Sequence, residues 1–190
     1  MPSAFDISDK TGQGLAVDDF VERMRSTYRE KMEPWQAAFS WNHHPEDKLL
    51  ALQSRDDLHC SILASDWCGD VHRNFPVIVE VMRKAGIPVE VFIQEEHPDF
   101  IDQFRTLGGT SVPKVVVSDE HGKVYFSWGP RPAFVQEPMK YFKSLGLTEN
   151  DESYADERSA AYESIFSRYG DDADYQRLVV YELTNLLEQS

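Results

Sequence analysis

Asp66-Trp67-Cys68-Gly69-Asp70-Val71 places a cysteine after an apolar run, Leu58 to Ala64, and at the start of a segment with helical character. A thiol at such a strand-to-helix junction faces the positive end of the helix dipole, which stabilises thiolate and makes the sulfur nucleophilic. That chemistry would be attack on a disulfide, a glutathione mixed disulfide or a sulfenic acid. The alternative is an inert relic of a dithiol ancestor. In a Cys-x-x-Cys motif the second cysteine stands three residues on and resolves the mixed disulfide. Here that position is Val71.

The neighbours of Cys68 pull in opposite directions. Asp70 raises the thiol pKa by like-charge repulsion, whereas His72, one turn beyond Cys68, would lower it as an imidazolium. The alternative for His72 is an exposed helix residue. Dipole effects act at contact distance, and the charges of a distant acidic surface are screened beyond about 8 Å. The local terms should therefore prevail, leaving Cys68 more acidic than a free cysteine, with Cys68 and His72 as the catalytic pair. Cys60 cannot replace the missing thiol. It lies eight residues earlier in the same strand, and five extended steps already separate the two by about 16 Å. A disulfide needs Cα atoms within roughly 7 Å. Cys60 reads as a small buried core residue. Cys68, His72 and nearby Asp70 are too few for a closed metal site, so no metal is expected. His43-His44 reads as a solvated pair in a loop.

The elements that position these residues follow from periodicity. Residues 1–14 show none and are expected to form a loose arm. From Val17, the residues Phe20, Met24, Tyr28 and Met32 recur at helical spacing until Pro34 ends the helix. A short helix is expected from Pro45 to Gln53. Leu58–Ser65 reads as a central strand and Gly69–Ala85 as a helix kinked at Pro76 and closed by Gly86. Ile87–Gln94 alternates as a second strand, and His97–Leu107 reads as a helix. Lys114–Ser118 and Lys123–Trp128 form a hairpin, followed by a helix over Arg131–Leu145. A β-α-β crossover, a hairpin and a helix make an α/β fold: a mixed four-stranded sheet flanked by helices. Two amphipathic helices follow, marked by Tyr154, Ala161, Ile165 and Tyr169, then by Tyr175, Val179, Leu183 and Leu186.

The chain has 190 residues, enough for one domain with extensions. No apolar run reaches membrane-spanning length, and no signal-peptide pattern opens the sequence. Two cysteines suit a reducing compartment, so a cytoplasmic location is expected. The net charge of −14 argues against nucleic acid and anionic membranes as partners. Residues 147–190 alone hold eleven acidic side chains and three arginines, which reads as a solvated face or, alternatively, a docking face for a basic partner.

Four landmarks resemble the thioredoxin superfamily: Trp67-Cys68-Gly69, Pro76, Val112-Pro113 and Gly129. The chain also resembles a thioredoxin-like branch with a single-cysteine Trp-Cys-Gly-Asp motif and a later Trp-Gly-Pro-Arg-Pro, here Trp128 to Pro132. The resemblance implies a thioredoxin-like core over residues 55–146, with an N-terminal arm and helical extension (1–54) and an acidic C-terminal extension (147–190). It implies a cis bond at Val112-Pro113 and a substrate groove formed by Trp67, Val112 and Pro113. Arg131 would border that groove, holding a carboxylate or assisting the thiolate; the alternative is an exposed arginine at a helix start. Dithiol members bury an aspartate six residues before the nucleophile, where this chain has Ile62. The implied activity is single-cysteine thiol–disulfide exchange, with glutathione or a partner thiol resolving and no resident cofactor. A non-catalytic peptide-binding module and a redox sensor are the alternatives.

Overall fold

In a computed structural model, the apolar runs become a four-stranded sheet in the order β2-β1-β3-β4. The structure describes residues 6–42, 44 and 46–190. The first five residues of the expected arm, His43, and the expected helix start at Pro45 lie outside that set. Strand β1 (Leu58–Ala64) pairs in parallel with β2 (Val89–Ile93) and antiparallel with β3 (Lys114–Asp119), which pairs antiparallel with β4 (Val124–Trp128). The α/β class and the mixed, helix-flanked sheet agree with the sequence reading.

Helix α4 (Gly69–Ala85) crosses between β1 and β2 with Pro76 inside it. Gly86 closes it at φ 73°, where the amides of Gly86 and Ile87 bond back to Arg83 and Met82. This is a left-handed cap that glycine adopts without strain. Eleven of its residues are buried, so α4 is a central helix rather than a one-sided one. Helices α2 (Ser26–Ala38), α3 (Glu46–Ala51) and α8 (Gln176–Glu188) pack around it, while α6 (Ala133–Ser144) packs against α7 (Tyr154–Tyr169). The short α5 (Pro98–Gln103) ends four residues before the expected limit of Leu107.

Two expectations for the early chain need correction. The single helix ending at Pro34 is instead α1 (Val17–Arg23) and α2, with Pro34 inside α2. The break falls at Met24–Arg25 because Asp66 captures both the backbone amide and the guanidinium of Arg25. Beyond the proline, the helix is held by tertiary contacts: Gln176 donates to the Trp35 carbonyl at 2.8 Å, and Arg73 lies over the Trp35 ring. The described part of the arm is not loose either. The Ile7 amide bonds to Gly122, Leu15 exchanges two backbone bonds with Val91, and Ile7 is buried. Segment 6–15 thus ties the hairpin turn to the edge of β2.

His44 sits against the rings of Phe39 and Trp41 rather than standing in solvent. Residues 176–190 clasp the early helices: Lys48 pairs with Glu188, and Arg55 donates to the Ser190 carbonyl. Among the described residues, no helix is long and apolar enough to cross a membrane.

Candidate functional site at Cys68

Cys68 caps the N-terminus of α4 in an extended conformation, and its carbonyl accepts the His72 amide at 3.1 Å. The turn before it is fixed on both sides. Asp66 takes a forked bond from Arg25, and Trp67 donates its indole N–H to Glu95 at 2.6 Å while its ring stays 52% exposed. The Cys68 thiol is half-buried and donates to the Val112 carbonyl oxygen at 3.3 Å. The Val112-Pro113 bond is cis, as is Gly129-Pro130.

These segments meet only because Gly129 permits it. At φ 112°, a Cβ on Gly129 would lie 2.2 Å from the Pro113 carbonyl oxygen. Beneath the same turn, the ammonium of buried Lys114 donates to the Gly129 carbonyl at 3.0 Å and to the Thr106 hydroxyl. Burial pulls the Lys114 amine down to about 8.

The electrostatics correct the expected acidity of Cys68. Burial pushes its thiol upward, and the nearby Asp70 carboxylate adds to that; amides of the first turn and Arg131 oppose them without prevailing. The donated bond to Val112 also favours the protonated sulfur. The helix-end field was expected to win, but the sulfur is too desolvated for that.

His72 is not the exposed helix residue, nor does it meet the thiol. It is buried, its Nε2–H donates to the Asp66 carbonyl, and its ring stacks on Tyr28. Burial lowers its pKa, which opposes an imidazolium at neutral pH. Its place is beneath the Asp66 turn, as a support for the motif.

Arg131 lines the site but is already engaged. Its guanidinium makes a forked pair with Asp70, at 2.8 and 2.7 Å, with both side chains largely buried. Asp70 also accepts the Tyr169 hydroxyl at 2.7 Å, and Asn74 donates to Tyr169 and to the Pro130 carbonyl. Burial raises the Asp70 carboxyl from its usual value while Arg131 opposes the shift. The pair neutralises itself within the protein.

Cys68 opens into a pocket of about 330 Å³. Trp67, Val112 and Arg131 line it; Pro113 is buried and is not among the lining residues. Part of the lining has no counterpart in the sequence reading. It comes from Tyr162, Ile165, Phe166 and Tyr169 of α7, with Arg73 alongside. The helical stripe of α7 had marked Ile165 and Tyr169 as packing residues, and only long-range docking shows which surface they meet. Arg73, one turn after Asp70, shared a helix face with it as a readable clue. Cys60 is buried in β1 and free, its thiol raised by burial. Among the described residues, no cluster of three His, Cys, Asp or Glu side chains is placed to hold a metal ion.

A family model described as Thioredoxin matches residues 14–145. No curated protein matches the chain. Two solved structures share the fold, each with a TM-score of 0.65. One is an HIV epitope scaffold, 15% identical, covering 98% of this chain and 99% of its own. The other is a protein of unknown function from Pseudomonas aeruginosa, 16% identical, covering 97% and 98%. At such identities the likeness speaks to the fold alone.

Proposed function

Because the chain belongs to the thioredoxin family, we propose that it carries out single-cysteine thiol–disulfide exchange at Cys68, with glutathione or a partner thiol resolving. The observation that carries this reading is a sulfur opening into a pocket beside Val112, while the only other cysteine is buried in β1. In the reaction, Cys68 loses its proton and attacks one sulfur of a disulfide. The Cys68–S–S–R bond forms and the other sulfur leaves as a thiolate. An external thiol then attacks the mixed disulfide and returns Cys68 to the thiol. Val71, wholly buried, offers no internal resolving step.

The raised pKa of Cys68 shapes the rate. Little thiolate forms at neutral pH, so attack is slow; a weakly acidic thiol is also a poor leaving group, so the mixed disulfide persists. The same upward shift favours a second reading, a thioredoxin-fold binding module in which Cys68 is inert. Incubation with oxidised glutathione, followed by mass spectrometry, separates them. One glutathione should attach at Cys68, be removed by excess thiol, and be absent from Cys68→Ser. An unmodified Cys68 after prolonged incubation at alkaline pH would leave the binding module standing. In either case, insulin reduction driven by thioredoxin reductase should fail.

A further inference from the structure

Resting on the exchange reading, we infer that the Cys68 pocket selects low-molecular-weight disulfides carrying a carboxylate and turns away extended polypeptides. The first ground is the wall supplied by α7. Tyr162, Ile165 and Phe166 line the same pocket as Ser111 and Val112, so the site includes a helix beyond the residues of the motif. A volume of about 330 Å³ lies at the small end of the range for small-molecule sites. An extended chain passing along Val112 would have to displace this helix. Helix α7 lies outside the residues matched by the family model, so the wall is a property of this chain's extension rather than of the shared core.

The second ground is Arg73. Its guanidinium lies over the rings of Trp35, Tyr169 and Tyr175, at 4.0, 4.8 and 5.7 Å from their centroids. Such rings attract the cation without cancelling its charge. Among the described residues its buried Nη1 has no hydrogen-bond partner. The nearby carboxylate, Asp70, is already forked onto Arg131 and bonded to Tyr169. Two guanidinium groups therefore line the pocket against one carboxylate, in a protein whose net charge is −14. Among the described residues lining the pocket the one carboxylate is already engaged, so a ligand carboxylate would supply the counter-charge that Arg73 lacks there.

The third ground is the rim, where Trp67 and Phe166 are 52% and 60% exposed. They offer two aromatic faces to the carbon body of a small ligand. The ligand half retained on Cys68 would set its carboxylate toward Arg73, and the other half would leave as a thiolate.

Three small disulfides test the selection on the full chain: dithiodiglycolate (anionic), hydroxyethyl disulfide (neutral) and cystamine (cationic). Mixed-disulfide formation is followed by mass spectrometry, with each rate divided by that of a free cysteine amide. The protein's overall charge alone would favour cystamine. The selection predicts dithiodiglycolate ahead of cystamine by about fivefold or more, as one partly desolvated charge contact allows. Arg73→Met, which keeps the stem against the rings, should abolish that preference, and Arg73→Lys should keep part of it. Phe166→Ala should speed reaction with a peptide disulfide and leave the small neutral one little changed. If Cys68 reacts with none of them, the exchange reading falls, and Cys68→Ser still tests the selection. Trp67 fluorescence then reports binding of (methylthio)acetate against 2-(methylthio)ethylamine. Preference for the anion, lost in Arg73→Met, sustains the pocket's selectivity; equal binding or preference for the cation overturns it.

Discussion

Cys68 and Lys114 show how burial sets the chemistry of single residues here. The thiol is held up by desolvation first and by Asp70 second. Asp70→Asn should therefore accelerate alkylation of Cys68 at neutral pH. By leaving Arg131 buried without its counter-ion, it should also cost about 3 kcal/mol of stability, read from urea unfolding. His72→Ala should leave the pH midpoint of alkylation unmoved, because His72 serves the Asp66 carbonyl; a downward or upward shift would place it at the thiol after all. Lys114 predicts a pH effect on folding. In the folded chain it releases its proton near 8, against the ordinary lysine value of 10.5 in the unfolded chain. Between those values the unfolded state binds more protons, so this group adds stability as pH rises through the window, and its cost is greatest and constant below it. Lys114→Met should remove that rise, which is at most about 3 kcal/mol, from the difference between the two proteins' stability–pH curves.

At the scale of elements, the strand–turn–helix around Cys68 was legible because each part is specified locally. An apolar run makes β1, Gly86 ends α4 where the sequence places it, and the hairpin turns at Asp119–Gly122. What local pattern could not reveal was held by distant partners. Arg25 breaks the first helix because Asp66, 41 residues on, takes its amide. Pro34 fails to end α2 because Trp35 is gripped from α8 and α4. Arg73 and the α7 wall escaped for the same reason, since a packing stripe and a pocket wall have the same periodicity. Gly129 sits where local and long-range demands coincide. Gly129→Ala should lose more than about 2 kcal/mol, since a strained φ and a backbone collision act together. A midpoint unchanged in thermal unfolding would show that the turn can move aside.

Across the whole molecule, the site and its support are one network running from the Cys68 motif to the C-terminal helices. The Tyr169 hydroxyl donates to Asp70 and accepts from Asn74, so α7 is bonded into the first turns of α4. Tyr169→Phe should leave Asn74 and Asp70 each short of a partner and cost about 1–3 kcal/mol. It should also raise the mobility of α7, visible as faster amide exchange over residues 154–169 relative to the sheet. Exchange that rises equally everywhere would mean that α7 is held by its apolar stripe alone.

The clasp of residues 176–190 on the early helices has a consequence for how the chain is made. A ribosome delivers about 5–20 residues per second, and early segments ordinarily settle first. Here Trp35, Lys48 and Arg55 await partners at Gln176, Glu188 and Ser190. Ile7 likewise awaits Gly122. The early helices therefore emerge with buried-side residues such as Met32 and Leu49 uncovered, and α4 stays exposed on its α8 side until translation passes residue 188. During those seconds the nascent chain presents an apolar surface that the finished protein conceals.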